Sequence, residues 1–406
     1  MSRPHVVIVG AGPAGLAAAE RLVEAGGVAV TLVERMPSPA RKFLLAGRGG
    51  LNLTHSEPLE RFLARYGGSA APAVREAIVR FSPEDLRAWA DGLGEPTFVG
   101  SSGRVFPRSF KASPLARAWL ARLQAAGVRL RARTRWTGFS ADGGLVVESG
   151  GEARTLAADA TILALGGASW SRLGSDGAWA PILVEAGVTV APLASMNAGV
   201  EIAWSDVFRE RFAGAPLKRV AIGSGRRAEA SETSEALITA HGLEGTGVYA
   251  RSAAIGEALD ASGGVTLHLD LRPDQDADAL AARIAAAPKG RTLTERLRRA
   301  GLAPAAIGLM REAGPLPAEP AALAARAKDC VLAVASMRPL ERAISTRGGV
   351  RAEALDQDFM LRARPGTFVA GEMLDWHAPT GGYLLQGCLA TGRAAADGVL
   401  ARLGRS

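Results

Sequence analysis

The stretch HVVIVGAGPAGLAAAERLVEAGGVAVTLVE, residues 5–34, decides the fold. Its first five residues are a short apolar run of the kind that a parallel sheet buries on both faces. Gly10, Gly12 and Gly15 follow at once in GxGxxG spacing. Apolar side chains then recur at Leu16, Ala18, Leu22 and Ala25, the rhythm of a helix, which Gly26-Gly27 closes. Pro13 sits near the first helical position, where its missing N–H costs nothing. A second strand ends at Glu34. This strand–turn–helix–strand order gives each glycine a task. Gly10 permits the tight turn, Gly12 lets backbone approach a pyrophosphate, and Gly15 lets helix and strand pack closely. The helix N-terminus adds unpaired N–H groups and a positive dipole end. Glu34 is placed to accept from a ribose hydroxyl and disfavours a 2′-phosphate.

The rest of the chain fits a folded protein of more than one domain. Its 406 residues are 48% hydrophobic and 22% charged, which excludes a disordered, collagen-like or coiled-coil chain. No apolar run is long enough to span a bilayer, and strand pattern begins too early for a signal segment. The expectation is a cytoplasmic protein with no membrane partner. The net charge is +8, but 43 of the 48 basic residues are Arg and they are scattered, so a nucleic-acid partner is not the favoured reading. Cys330 and Cys388 form no CxxC pair and no zinc spacing, so neither a dithiol relay nor a metal site is expected.

Residues 38–56 read as an extended, glycine-rich, ligand-wrapping loop, and residues 57–94 as helix-rich. A helix over 113–126 leads to four short β-type runs, VRLRART, RWTGFS, GLVVES and EARTLA, read together as a small meander. DATILALGG returns to a buried strand that ends at Gly166-Gly167. Residues 198–270 alternate like strands, and 277–334 carry helical periodicity. TFVAGE and GGYLLQGCLATGRAAADGVLARL then give a last strand, turn and helix. The fold class is α/β: a Rossmann-like, three-layer FAD-binding domain over 1–190 and 336–406. A β-rich substrate domain is inserted at 191–275, with a helical part at 276–335.

FAD is favoured over NAD(P) as the bound dinucleotide because the glycine-rich loop at 47–54 and the segment from 367 onward add a second end to the cradle, while only one full GxGxxG exists. Six segments in order, VVIVGAGPAGLAAA, RKFLLAGRGGLNLTHS, GRVFPRSFKAS, ILALGGASWSRLGSDG, ALITAHGLEGTG and GEMLDWHAPTGGYLLQ, resemble the YhiN-type, BaiN-like family of FAD-dependent oxidoreductases, also described as aminoacetone-oxidase-like, within the glutathione-reductase-type superfamily. The resemblance implies that Gly10, Gly12 and Gly15, with Pro13 and Ala14, hold the pyrophosphate, and that Glu34 and Arg35 flank the adenosine ribose. It implies that Lys42 and the loop residues Gly47, Arg48, Gly49, Gly50, Asn52 and Thr54 line nucleotide and flavin, with Gly166 and Gly167 beside them. Gly371, Glu372 and Asp375 then approach the ribityl-phosphate region, and Gly381, Gly382 and Tyr383 bring the last helix to the flavin pyrimidine. The chain departs from the family where GGGRCN becomes Gly47-Arg48-Gly49-Gly50-Leu51-Asn52 and where GGYN has Leu384, which marks a divergent subfamily.

No residue announces itself as catalytic. His377, Trp376 and His241 are the candidates, His377 because an imidazole moves protons near neutral pH. His55 closes the glycine-rich loop. Arg104 and Lys111 could meet an anionic substrate or phosphate, or simply solvent. Cys388 reads as a buried, inert thiol. The expected activity is hydride transfer between flavin and a small organic substrate, with NADH or NADPH as a transient donor. The alternatives are an oxidase of a small amine or ketone that uses O₂, an RNA-associated flavoprotein, and a non-catalytic FAD-binding protein. Substrate and oligomeric state are not legible.

Overall fold

The computed structural model describes residues 3–47, 49–227, 233–288 and 290–405. The chain forms two compact units, one from Met1–Ala194 with Ser345–Ser406 and one from Ser195–Ile344. The strands of the first unit that matter for the site are β1 (His5–Val9), β2 (Ala29–Val33), β3 (Thr54–His55), β4 (Thr97–Val99), β5 (Arg104–Pro107), β6 (Arg129–Arg131), β7 (Arg135–Phe139), β8 (Leu145–Ser149), β9 (Glu152–Leu156), β10 (Ala160–Leu163) and β11 (Thr367–Val369). A five-stranded sheet runs in the order β11-β10-β1-β2-β6, parallel at every pairing. Val6, Val7 and Ile8 at its centre are fully buried, as the continuous apolar run requires. The first helix, Pro13–Ala25, packs against the C-terminal helix, Tyr383–Arg402. Their approach is close because residue 392 is glycine: a Cβ there would sit 2.1 Å from the Ala14 carbonyl oxygen.

Three segments differ from the sequence reading. Residues 129–131 do not belong to the meander, which is β7-β8-β9 alone. The helix Ala112–Ala125 acts as a crossover and returns the chain parallel to β2, with Thr31 opposite Arg129. All three residues of β6 are exposed, so no burial pattern marked it as a sheet member. The stretch 38–56 is not one loop, since it contains the helix Arg41–Ala46 and β3, which joins β5 and β4 in a three-stranded antiparallel sheet.

The second unit is a seven-stranded antiparallel sheet with its own core and helices that include Ala277–Ala285, Leu293–Arg299, Pro304–Glu312 and Pro320–Lys328. The third correction lies here. Cys330–Val334 is a strand at one edge of that sheet and Ser336–Met337 a strand at the other, so the chain re-enters the first unit at Ser345 and not at 336. Among the described residues, no helix is long and apolar enough to cross a membrane.

One buried acid ties the first helix to its neighbours. Glu20, 2% exposed, accepts from the indole N–H of Trp89 (2.7 Å) and of Trp119 (3.0 Å) and from the Arg122 guanidinium (3.0 Å). Burial pushes its carboxyl above the ordinary 4.5, and the bonds from Trp89 and Arg122 only partly oppose this. Glu20→Ala should cost about 3 kcal/mol, because the buried Trp119 and half-buried Trp89 indoles lose their acceptor. A raised folded pKa gives a contribution that is full below 4.5 and is lost as pH rises through the raised value. Denaturation of wild type and Glu20→Gln across that range should therefore show the wild type's relative stability falling with rising pH. A flat or rising difference would contradict the assignment.

Candidate cofactor-binding site

The turn after β1 is shaped by what its glycines allow. Gly10 has a φ of 104°, and a Cβ on it would lie 2.3 Å from the Ala164 carbonyl oxygen at the end of β10. A Cβ on Gly15 would lie 1.9 Å from the Gly10 carbonyl oxygen. These two positions are closed by backbone. Gly12 is the opposite case: its backbone is extended, it caps the first helix without a side-chain hydrogen bond, and nothing lies within 4 Å of its Cβ position. The helix thus starts with open space in front of its first N–H groups, the geometry that receives an anion.

A cavity opens there, at the carboxyl ends of β1 and β2, where ligands sit in open parallel sheets. Gly10, Gly12, Pro13, Ala14, Glu34, Arg35, Lys42, Gly166, Gly371 and Glu372 all line it. Glu34 accepts from the Ala11 N–H (2.9 Å) through one oxygen and from the Met36 N–H (2.8 Å) through the other, which fixes the carboxylate at the cavity wall. Arg35 is spent on the protein itself. Its guanidinium donates to the carbonyls of Ser171 and Gly174 and to the Asp176 carboxylate, and so pins the 171–176 segment. Lys42 donates to Ser169 and to Glu372, each at 2.8 Å. The second oxygen of Glu372 is buried and has no partner among the described residues. Gly371, with φ of 74°, brings this segment against the first helix, since a Cβ there would lie 2.8 Å from that of Ala14. Cys388 also lines the cavity, but burial, reinforced by the Glu372 charge, pushes its thiol far up, so it stays protonated.

The remaining expected residues form a second group, away from that cavity's lining. Gly382 seats the start of the C-terminal helix on β3, where a Cβ would lie 2.5 Å from the Thr54 Cα. The Thr54 hydroxyl donates to Gln386 at 2.9 Å, so helix and glycine-rich loop are tied directly. Tyr383 donates its phenol to Glu57, which Arg65 also clamps, and His55 stacks on the Tyr383 ring at 5.6 Å. Burial and the adjacent Glu57 carboxylate raise the Tyr383 phenol, so it remains a donor. Burial would raise Glu57 too, but hydrogen bonds from Arg65 and Tyr383 outweigh it and hold the carboxyl down. The Asn52 side-chain oxygen is buried without a partner among the described residues.

Several expected roles meet a different local structure. The Asp375 carboxylate accepts from the Ser69 hydroxyl (2.7 Å) and backbone, which makes it an anchor for residues 67–70 and not a cavity residue. Trp376 is 2% exposed, its indole donates to the Gly371 carbonyl, and it packs on Gly387, so it braces the turn from inside. His377 pairs its backbone with Gly67 and does not line the cavity. His241 is exposed at a hairpin turn of the second unit. Gly167 packs on Thr346. Arg48 lies outside the described residues. The sequence reading missed Arg41, which lines the cavity with a buried, unpartnered Nε, and the rim from Thr134 to Thr137. Arg41 lies beside Lys42, the one signal available for it.

Gly10 and Gly12 separate fold from ligand space. Gly10→Ala should cost about 3 kcal/mol, from the positive φ and the backbone clash. Gly12→Ala should stay within about 0.5 kcal/mol of wild type. Denaturant titration of both variants checks this, and equal losses would contradict the geometry.

Comparison with known proteins agrees with this construction. The family model described as the HI0933-like protein Rossmann domain matches residues 4–398. A 3-dehydro-bile acid delta(4,6)-reductase of Clostridium scindens is 27% identical over 97% of this chain and 99% of its own. Among solved structures, the 3-ketosteroid delta1-dehydrogenase of Sterolibacterium denitrificans superposes with a TM-score of 0.55 at 14% identity, covering 98% of this chain and 99% of that one. The 3-ketosteroid-delta4-(5alpha)-dehydrogenase of Rhodococcus jostii RHA1 gives 0.51 at 18%, covering 98% and 97%. Those two likenesses concern the fold. With the family model spanning nearly the whole chain, the protein belongs to the HI0933-like family of FAD-dependent flavoprotein oxidoreductases.

Proposed function

We propose that the protein is a reductase that takes hydride from NADH or NADPH and delivers it, through bound FAD, to an activated carbon–carbon double bond in a small ring-bearing ketone. The observation that carries the FAD reading is the Lys42–Glu372 pair, which lines the cavity that begins at Gly12 and leaves one buried carboxylate oxygen without a partner among the described residues. An acceptor of that kind suits a chain of hydroxyl groups, and unpartnered buried acceptors in a folded protein call for an explanation. The flavin supplies the capacity to take up and release a hydride.

The residues of this chain have definable tasks. Gly12 and the first helical N–H groups receive the pyrophosphate, and Glu34 receives ribose hydroxyls with the lone pairs its two backbone bonds leave over. Glu372, held by Lys42, would accept from a hydroxyl of the bound cofactor. Arg41 adds positive charge beside the phosphates. The N-terminus of the C-terminal helix, fixed by Gly382 on Thr54, would offer its positive dipole end to a flavin ring held there. Asn52, whose side-chain oxygen has no partner among the described residues, would supply an acceptor to the same group. The substrate class draws support from the relative that reduces a 3-dehydro-bile acid.

Anaerobic addition of NADH or NADPH should bleach the flavin absorbance with one of the two. A 4-en-3-one steroid should then restore it. Bleaching by dithionite but by neither nicotinamide would overturn the donor assignment, and no reoxidation by the enone would overturn the acceptor class. Glu372→Gln should weaken FAD retention about tenfold, or roughly 1.4 kcal/mol, read by equilibrium dialysis.

A further inference from the structure

We propose that one face of the β3-β5-β4 sheet, with Phe110, is the substrate-recognition surface, and that it selects a molecule with an apolar ring body and an anionic substituent. This deepens the reductase reading and rests on its placement of the Gly47–Thr54 loop beside the flavin. Strand alternation puts Arg104 and Phe106 of β5 on the same face. Pairing sets Phe98 opposite Phe106, and His55 opposite Arg104. Phe110 completes a trio, with ring centroids 5.9 Å apart for Phe98–Phe106, 5.1 Å for Phe98–Phe110 and 5.5 Å for Phe106–Phe110.

These rings are not core. Phe110 is 48% exposed, and Phe98 and Phe106 are half-buried. Phe110 also holds a φ of 56°, a left-handed conformation that a bulky residue keeps only where its surroundings impose it. Its carbonyl accepts from the Leu51 N–H at 3.0 Å and its own N–H donates to Pro107 at 2.9 Å, so the glycine-rich loop and the ring are locked together. Gly50 lies directly on the trio, where a Cβ would be 3.3 Å from the Phe110 ring and 3.5 Å from that of Phe106. The platform therefore abuts the loop that the functional reading places at the flavin. From the rings the face continues through Arg104 to His55, which stacks on Tyr383 at the start of the C-terminal helix.

Charge decides the occupant. Among the described residues Arg104, Arg108 and Lys111 have no acidic partner. Arg104 shares the rings' face by strand alternation, while Arg108 follows β5 and Lys111 follows Phe110 in the chain, and such cations beside three wet aromatic rings complement a ring-bearing carboxylate. A purely apolar partner would leave the cations unused, and a small hydrophilic anion would leave the rings unused.

Calorimetric titration of the FAD-loaded protein with cholate, below its micelle concentration, tests this. Cholate should bind, its uncharged methyl ester at least fivefold more weakly, and acetate not at all. Phe110→Ser and Arg104→Gln should each weaken cholate about fivefold to tenfold. Phe110→Leu, which keeps bulk, guards against a folding defect and should lose less. Arg154→Gln, at an exposed Arg paired with Glu152, should change nothing. Equal affinity for acid and ester, or variants that bind as wild type, would overturn the proposal. So would a sedimentation change in Phe110→Ser alone, which would make the face a contact between two copies. Binding needs no turnover, so this failure is distinct from failure to reduce an enone.

Discussion

The site depends on one backbone contact. The chain leaves β1 through Gly10, passes against the carbonyl at Ala164, and turns into a helix whose third residue must let the Gly10 carbonyl stand where a Cβ would be. Because both approaches are backbone on backbone, no side-chain rearrangement relieves them. They fix where the first helix begins, and therefore where its free N–H groups point. Two later glycines repeat the constraint from the other end of the chain. Gly371 and Gly392 carry the last turn and the C-terminal helix against Ala14, so residues far apart in sequence meet around one helix start.

Charge placement follows from that geometry. Lys42 neutralises Glu372 in a half-buried pair and leaves one buried carboxylate oxygen without a partner among the described residues. Arg35, although next to Glu34, is occupied by the 171–176 segment and acts as a strut. The Glu57–Tyr383–Arg65 cluster holds the start of the C-terminal helix by hydrogen bonds that keep the phenol protonated. At the cavity the positive elements are thus the helix N-terminus and Arg41, while Arg35 and Lys42 are engaged in holding walls.

What the sequence revealed was local. The run from His5 to Glu34 carries its own strand, turn and helix signals, and the same applies to the buried strand before Gly166. What it hid was long-range or too short to have a pattern. β6 has three residues, all exposed, and only the crossover helix explains its place in the parallel sheet. Asp375 looked like a cofactor contact because it follows Gly371-Glu372, but its partner, Ser69, lies 306 positions away. Trp376 and His377 were attractive as chemistry-bearing residues in a turn, and the structure uses the first as internal bracing and the second in a backbone bridge to Gly67. The strut role of Arg35 and the aromatic face around Phe110 both require contacts that no spacing rule encodes.

The central claim, that the cavity opening at Gly12 holds FAD, is tested most directly by the cofactor content of the purified protein. The account predicts a yellow protein with one FAD per chain, released on denaturation and taken up again on refolding. A folded protein that carries no FAD and cannot be loaded with it would contradict the account.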